Sequence, residues 1–310
     1  MAVIRRNITT DSAARDKYVR GVLLLKNELQ AASGLSSYDA LVVWHARAMM
    51  TMTPTSQSSR NAAHKGPVFL PWHRYFLIVL EQHLQRVLND PTFGLPYWAW
   101  NVDGDKPKAQ QPGQPVWGPN CMGSNGAPLV DGPFANPQGA ANKFLVRVDT
   151  DASGNLRRVT RGLGRRLASQ VGTLPTTPEV KHALGLSAYD ESDWNLASST
   201  TFRNVVEGWS QSPAGLHNRV HVWVGGDMLP GSSPNDPVFF LNHCNVDRIW
   251  SAWQGKHGKT TYSPPQSAPA ALRRHRPDDK LFSVYANPPR VKDMFNIDNV
   301  YTYDTLSDML

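Results

Sequence analysis

Six of the ten histidines in this chain of 310 residues lie on or beside the apolar faces of predicted helices, and they fall into two groups of three. A single buried histidine is usually a hydrogen-bonded core residue. Six imidazoles buried without partners, however, would cost several kcal/mol, and a bound metal removes that cost. Helical bundles commonly build sites for two metals in this way. The two groups are His45, His64 and His73, followed by His217, His221 and His243.

The first group belongs to two predicted helices and the loop between them. One helix is predicted over about 38–52, with His45 on its apolar side. Another begins near Pro71, which suits the first turn of a helix, and it carries His73 on an apolar face that repeats at i, i+3, i+4 and i+7. His64 lies in the polar stretch before this helix. The second helix is apolar enough to sit in the core, so we expect His73 to point inward.

The second group lies more than a hundred residues further along the chain. His217 and His221 are at i and i+4, so on a helix one metal can reach both side chains. His243 is on a helix predicted from Val238 to about Gln254, beyond a turn-forming stretch rich in Gly, Ser, Pro and Asn. The spacing therefore predicts a second set of three imidazoles around one metal.

The remaining segments predict a mainly α protein with long loops and a few short strands. Residues 15–33 have the periodicity of an amphipathic helix, and a hairpin is predicted within 144–160. Residues 103–142 are dense in Gly, Pro, Asn and Gln, which predicts a long irregular excursion. The tail has a β-like character near Tyr301. No clean linker separates the two histidine groups, so we expect a single domain over 1–310.

The type of ligand narrows the choice of metal. All-imidazole ligation suits Cu, Zn, Fe or Ni. Di-iron bundle sites normally use carboxylates with a Glu-x-x-His pair, and none of the six histidines has a glutamate at that spacing. A dizinc hydrolase would usually include a bridging Asp or Glu, and it stays as an alternative. Three neutral imidazoles for each metal favour a pair of coppers that cycle between Cu(I) and Cu(II) and bind O2 between them.

Charge and hydrophobicity argue against several other classes of function. The formal net charge is +7, but the basic residues are scattered and lack interleaved aromatics, which favours a solvated surface over a nucleic-acid site. No stretch approaches the roughly 18 apolar residues of a membrane span. The first residues lack the apolar region of a signal peptide. We expect no nucleic-acid or membrane partner, and a cytoplasmic location or export only with a partner protein.

Long motifs around both histidine groups resemble the tyrosinase family of type-3 copper proteins, nearest to its short bacterial members. Phe-Leu-Pro-Trp-His-Arg at 69–74, followed by Glu81, is similar to the family's first copper-site helix. Leu-His-Asn-Arg-Val-His at 216–221, Trp-Val-Gly-Gly at 223–226 and the run over 235–250 are similar to the second. Motifs of this length and spacing do not arise by chance.

The resemblance implies a four-helix bundle core that holds a dicopper site, with long loops and a few short strands around it. It spans roughly residues 38–255, with a copper A region at about 38–90 and a copper B region at about 202–255. A helix predicted over 202–209 would be part of the latter. The implied copper A ligands are His45, His64 and His73, and the implied copper B ligands are His217, His221 and His243.

Two further positions match residues that the family associates with proton removal. Glu207 matches a glutamate thought to orient a water near copper B, and Asn218 matches the residue after the first copper B histidine. A phenol with a pKa of about 10 must lose its proton to bind copper, and a fixed carboxylate–water pair can accept it. The implied catalytic residues are therefore Glu207 and Asn218. The alternative for Glu207 is an exposed carboxylate on a helix surface.

Four residues are expected to form the substrate pocket. Phe239 matches the family's aromatic residue beside the copper B histidines. Val222, Leu229 and Pro230 are expected to shape the entrance. The four other histidines are expected to lie on the surface or to support the ligands, and they are His83, His182, His257 and His275.

Some positions depart from the family's usual pattern. His243 stands between Asn242 and Cys244, where the family often has His-His-Ala. Because the outer histidine is not a ligand, copper B is expected to survive. Cys121 and Cys244 are expected to be free thiols, with one disulfide as the alternative. Ala99 replaces the usual Asp after Pro-Tyr-Trp.

Two other departures concern features of larger members. No cysteine stands near His64, so the thioether crosslink of fungal and plant members is not expected. Tyr-Thr-Tyr at 301–303 resembles the motif that closes the catalytic domain in larger members, and seven residues follow it. We therefore expect no C-terminal domain that plugs the active site.

These residues together predict a copper-dependent oxidoreductase with O2 as co-substrate. It would hydroxylate monophenols and oxidise o-diphenols to o-quinones. One alternative is an o-aminophenol or catechol oxidase that cannot hydroxylate monophenols, and another is an oxygen carrier of hemocyanin type. The expected partners are a phenolic or aminophenolic small molecule and a small copper-loading chaperone of the kind found with bacterial relatives.

Overall fold

Helices that carry the histidines, or pack behind them, form the centre of the fold. The computed structural model describes residues 2–136, 144–197, 199–212 and 214–310. Within these ranges the α-helices are α1 (Ser12–Asn27), α2 (Ser37–Met50), α3 (Phe69–Leu88), α4 (Trp100–Gly104), α5 (Thr177–Gly185), α6 (Phe202–Glu207), α7 (Leu216–Val224) and α8 (Val238–His257). The predicted mainly α architecture with a helical core is confirmed.

Local hydrogen bonds fix where the first two helices begin. The side chain of Asp11 accepts a hydrogen bond from the backbone N–H of Ala14 at the start of α1. Ser36 and Asp39 form a capping box at the start of α2, in which each side chain accepts from the other residue's backbone N–H. The predicted helix over 15–33 is wrong at its C-terminal end, because α1 ends at Asn27 and the apolar residue beyond it, Leu29, is 54% exposed.

Helix α3 is the centre of the packing. It lies between α1 and α8, and α7 packs against α6 and α8. Gly21 of α1 allows the close approach to α3, because a Cβ atom at this position would lie 2.7 Å from Cδ2 of Leu84. Trp72 on α3 and Trp250 on α8 are fully buried in the core that these helices share. The histidine-bearing helices α3 and α8 are therefore held together by a continuous apolar core.

Two small sheets complete the fold. Strand β1 (Val3–Arg5) pairs in parallel with β4 (Tyr301–Tyr303), with Ile4 opposite Thr302. Strands β2 (Val146–Thr150) and β3 (Leu156–Arg161) pair antiparallel, with a register shift between Val146 and Val148. The predicted hairpin within 144–160 and the β-like tail are confirmed.

The predicted irregular excursion over 103–142 contains only short helical turns where the structure describes it. The end of α4 is followed by 3₁₀ helices over Lys108–Gly113 and Pro115–Trp117. Residues 137–142 of this predicted segment lie outside the described residues.

A buried ionic cluster ties the sheet of β1 and β4 to α3 and α8. Nε of Arg5 donates to Oε2 of Glu81 on α3 at 2.9 Å, and Nη1 of Arg5 donates to Asp247 on α8 at 3.3 Å. Nε of Arg74 donates to the other oxygen of Asp247 at 2.6 Å. Tyr303 of β4 donates its hydroxyl to Asp247 as well. These contacts place charged groups in the interior directly behind the histidine-bearing turns.

Both cysteines are free and buried, as predicted. Burial raises the pKa of Cys121 to about 11 and that of Cys244 to about 12, so both thiols stay protonated at neutral pH. Among the described residues, no helix combines the length and the hydrophobicity that crossing a bilayer requires.

Candidate metal centre

The first three histidines converge from α2, α3 and the loop between them. His45 lies near the middle of α2, His73 lies in the second turn of α3, and His64 lies in the preceding loop. One ring nitrogen from each residue lies within 4.8 Å of those of the other two. This arrangement brings together the first predicted ligand group.

The second three histidines converge from α7 and α8. His217 and His221 are one turn apart on α7, and His243 lies in the second turn of α8. Their ring nitrogens also lie within 4.8 Å of one another. The structure therefore assembles both predicted groups, and no carboxylate or thiolate is part of either.

Backbone carbonyl groups fix the tautomers of several of these histidines. Nδ1 of His45 donates to the carbonyl oxygen of Gly231 at 2.7 Å, and Nδ1 of His221 donates to that of Met228 at 2.6 Å. His73 does the same within α3, at 2.8 Å. With the proton on Nδ1, the lone pair of Nε2 is left as the metal ligand.

Several ring nitrogens have no hydrogen-bond partner among the described residues. Nε2 of His45, His73 and His221 is buried and unpaired, and so is Nδ1 of His64 and of His243. Unpaired buried polar atoms are costly, and their clustering around two points is the signature of a site that a ligand completes. Metal ions with three imidazole ligands each would satisfy the unpaired Nε2 atoms of His45, His73 and His221, so the residues present fit a pair of coppers.

The two triads lie side by side. The rings of His73 and His243 are stacked, with centroids 4.1 Å apart and an interplanar angle of 11°. Nε2 of His217 and Nε2 of His243 are 3.0 Å apart, so their lone pairs point into the same small space. Two metals bound here would be close neighbours, as a single O2 molecule between them requires.

Burial keeps the imidazoles neutral. Desolvation lowers the pKa of His45 to about 3 and that of His221 to about 4. It lowers the pKa of His64, His73 and His243 well below the ordinary value of 6.5. Neutral imidazole is the form that binds metal, so the site needs no deprotonation at neutral pH.

Asn61 and His275 support the loop that carries His64. Oδ1 of Asn61 accepts from the backbone N–H of His64 at 2.7 Å. His275 is fully buried and lies within 2.7 Å of the hydroxyl of Thr53, at the other end of this loop. A Cβ atom on Gly66 would lie 2.8 Å from the ring of His275, so only glycine fits there. His275 is therefore a supporting residue of the loop and not a surface residue.

A cavity of about 200 Å³ opens onto both triads. Asn218, Val222, Leu229 and Pro230 line it, where the sequence predicts catalytic and entrance residues. Four of the six histidines also reach its wall, and they are His45, His64, His217 and His221. The lining residues that were not predicted are Met49, Gly208, Trp209, Gln211, Ala214 and Ser233.

Phe239 lies behind the histidines and is not part of the cavity lining. It is fully buried, and its ring centroid is 4.2 Å from that of His243 and 5.0 Å from that of His45. The expected packing beside the second triad is present. The expected place in the substrate pocket stays a prediction.

Glu207 is a buried carboxylate, so the alternative of an exposed helix residue is wrong. Its Oε2 accepts from Arg203 at 2.9 Å, and both side chains are fully buried. Its Oε1 accepts from the backbone N–H of Lys65 at 2.6 Å and from the indole N–H of Trp209 at 2.9 Å. Desolvation raises the pKa of Glu207, while Arg203 opposes the shift. Because Trp209 lines the cavity, the carboxylate is one hydrogen bond away from the cavity wall.

The predicted helix over 202–209 included Trp209, whereas α6 ends at Glu207, so the prediction gave Trp209 no place at the cavity. Gly208, which has a φ of +90°, ends α6, and Trp209 then turns towards the cavity with 41% of its surface exposed. A large aromatic residue next to a glycine, two positions after the predicted catalytic glutamate, was the available signal.

Comparison with known proteins identifies relatives along the whole chain. The family described as the common central domain of tyrosinase matches residues 35–256. A tyrosinase from Streptomyces glaucescens is 37% identical over 309 residues, which cover 98% of this chain and 100% of that protein. A grixazone synthase from Streptomyces griseus subsp. griseus is 33% identical over 326 residues, again covering 98% and 100% of the two chains.

A solved structure shows the same fold. A polyphenol oxidase variant from Thermothelomyces thermophila superposes with a TM-score of 0.71 over 98% of this chain and 89% of that one, at 22% sequence identity. At this identity the likeness concerns the fold and not the substrate.

Proposed function

The chain belongs to the tyrosinase family and is a type-3 copper oxidoreductase, and we propose that it hydroxylates monophenols and oxidises o-diphenols to o-quinones with O2. We propose His45, His64 and His73 as the ligands of one copper, and the second triad, His217, His221 and His243, as the ligands of the other. The observation that carries this proposal is the convergence of imidazole nitrogens in two adjacent triads beside an open cavity.

The bound copper pair would supply the activation of O2 and the acceptance of electrons from the phenol. The protein supplies the shape and polarity of the substrate site. A dry cavity of about 150 Å³ can hold benzene, so a cavity of about 200 Å³ suits a single phenolic ring with a small substituent. Val222 and Leu229 offer apolar contacts to such a ring, and Asn218 offers a hydrogen-bonding side chain.

Removal of the phenol proton is the step that separates hydroxylation from simple oxidation. Glu207 is a carboxylate that the cavity wall contacts, through the indole of Trp209. Its burial raises its pKa, which makes it a stronger base than an exposed carboxylate. We propose that Glu207 and Asn218 together take up the proton of a monophenol.

The contacts of Glu207 favour the alternative of a catechol or o-aminophenol oxidase. Both oxygens of Glu207 already accept hydrogen bonds, and one of them is paired with Arg203. Such a carboxylate has less capacity to bind a water and to accept a proton. An oxidase that acts only on o-diphenols or o-aminophenols does not need this base.

The test is oxygen uptake by the copper-loaded protein with a monophenol, a catechol and an o-aminophenol. For Glu207→Gln we expect a fall of about 10²- to 10⁴-fold in kcat for the monophenol, with kcat for the catechol nearly unchanged. The matched control is Glu179→Gln on α5, where a half-buried carboxylate pairs with Arg219 outside the cavity lining. This control should leave both activities unchanged.

Copper content decides how a negative result is interpreted. If the fully loaded protein oxidises catechol but takes up no oxygen with any monophenol, the hydroxylase proposal is wrong and the oxidase alternative is correct. If Glu207→Gln lowers both activities equally, Glu207 holds the site together and is not the base. If loading with free copper fails, the predicted copper-loading chaperone is the next reagent to test.

A further inference from the structure

The walls of the active-site cavity carry no fixed charge. Among the described residues that line it, none is Asp, Glu, Lys or Arg. The lining consists of imidazoles, amides, one indole, the hydroxyl of Ser233, glycine and apolar side chains. A charged substituent on a phenol must therefore find its partner at the rim, and the charges at the rim decide which substituted phenols bind well.

Lys65 places a cation at this rim. Its ammonium nitrogen lies 4.9 Å from the centroid of the Trp209 ring, which is part of the cavity wall. The backbone of Lys65 is fixed as well, because its N–H donates to Glu207 at 2.6 Å. A lysine side chain is normally a flexible stem, and the contact with the indole face holds its charge beside the opening.

No carboxylate of the described residues forms an ion pair with Lys65. Glu207 accepts from the backbone N–H of Lys65 and is already neutralised by Arg203 at 2.9 Å. Asp227 lines a neighbouring groove that shares Leu229 and Pro230 with the cavity, and its carboxylate is engaged by Arg161 at 2.5 Å. The charge that is free to act on a substrate near Trp209 is therefore positive.

We propose that Lys65 is a specificity-determining residue that favours phenols and diphenols carrying a carboxylate or another anionic substituent. The proposal rests on the proposed phenol oxidase function and deepens it by naming the class of substrate. The aromatic ring would lie in the cavity against Trp209, and its anionic substituent would project to the ammonium group at the rim. The same arrangement disfavours phenols with a cationic side chain through like-charge repulsion.

The test uses three catechols that share a ring and differ in charge. They are 3-(3,4-dihydroxyphenyl)propionate, its neutral methyl ester, and dopamine as the cation. At low ionic strength we expect the KM of the wild-type protein to rise in that order. For Lys65→Met we expect the KM for the acid to rise about three- to fivefold, which is the range for a partly exposed ion pair. The kcat values and the KM for the ester should change less than twofold.

Three further variants make the test specific. Lys65→Arg keeps the charge and should keep the preference for the acid. Lys17→Met removes the same net charge from α1, where Lys17 pairs with Asp90 outside the cavity lining, and it should have no effect. Arg166→Met removes an exposed cation from a neighbouring groove that shares Leu229 and Pro230 with the cavity. It should also leave the preference intact.

Several outcomes would overturn the proposal. A wild-type protein that does not distinguish the acid from its ester refutes it directly. Loss of the preference in Arg166→Met instead of Lys65→Met places the anionic group in the neighbouring groove. Equal effects of Lys65→Met on acid and ester indicate a structural role in the loop of His64. Failure of the loaded protein to oxidise even the neutral ester refutes the proposed function itself, which is a distinguishable result.

Discussion

Replacing Asp247 by asparagine should strongly destabilise the protein, because this carboxylate joins the two helices that carry His73 and His243. Asp247 lies one turn after His243 on α8, and its Oδ1 accepts from Nε of Arg74, the residue after His73 on α3. Its Oδ2 accepts from Arg5 at 3.3 Å. The hydroxyl groups of Tyr301 and Tyr303 donate to the same oxygen.

The size of the stability loss follows from the buried guanidinium groups that asparagine would leave without an ionic partner. The guanidinium groups of Arg5 and Arg74 are both fully buried. Arg5 keeps its contact with Glu81 at 2.9 Å, but Arg74 pairs with no other carboxylate of the described residues. Breaking a buried ion pair by removing one partner costs about 3–5 kcal/mol, out of a total stability of about 5–15 kcal/mol. For a chain of this length, a loss of about 4 kcal/mol lowers Tm by about 6 °C.

Urea and thermal unfolding of the metal-free protein measure this loss without interference from copper binding. The matched control is Asp298→Asn, since Asp298 pairs with Lys259 at the surface, where both side chains are about half exposed. An exposed pair is worth at most about 1 kcal/mol. If Asp247→Asn unfolds within about 1 kcal/mol of the wild type, as the control should, the ionic cluster does not hold α3 to α8 and this reasoning is refuted.

Two further predictions concern a buried carboxylate and the metal ligands. Burial raises the pKa of Asp103 to about 6, so its ionised form costs stability above pH 6, and the cost disappears as the pH falls towards 4. Asp103→Asn should therefore be more stable than the wild type by up to about 3 kcal/mol at pH 7.5 and equal to it at pH 4. Urea denaturation of both proteins at pH 7.5 and at pH 4 measures this. A stability difference that is the same at the two pH values contradicts the prediction. In metal analysis, His221→Gln should bind one copper fewer than the wild type, while His83→Gln should bind the full amount; unchanged binding by His221→Gln would remove it from the ligand set.

The buried faces of helices with a regular apolar spacing could be predicted from the sequence. The apolar faces of the helices that became α2, α3 and α8 predicted which side of each helix is buried, and hence that His45, His73 and His243 point inward. The i, i+4 spacing of His217 and His221 placed both side chains on one face of α7. The structure brings these histidines together as the spacing indicates.

Contacts made through the backbone or across long sequence distances could not be predicted. The carbonyl groups of Gly231 and Met228 fix the tautomers of two histidines. Every residue type has a backbone carbonyl group, so the sequence does not indicate which one accepts from a histidine. Arg5 is separated from Asp247 by 242 residues, and nothing in its local sequence indicates a buried ion pair. The predicted single domain over 1–310 and the chaperone stay predictions.

Main-chain hydrogen bonds fix the ligand tautomers, whereas side chains form the cavity wall, so proteins of this fold can differ at the cavity more easily than at the metal site. Nδ1 of His45, His73 and His221 donates to main-chain carbonyl groups, so side-chain substitution cannot remove these hydrogen bonds without moving the backbone. The ligand set is therefore insensitive to most substitutions nearby. The cavity wall and rim are formed by side chains such as Trp209 and Leu229, which can change freely while the metal site persists. Differences in substrate between proteins that share these six histidines should therefore arise at the rim, which is where Lys65 lies.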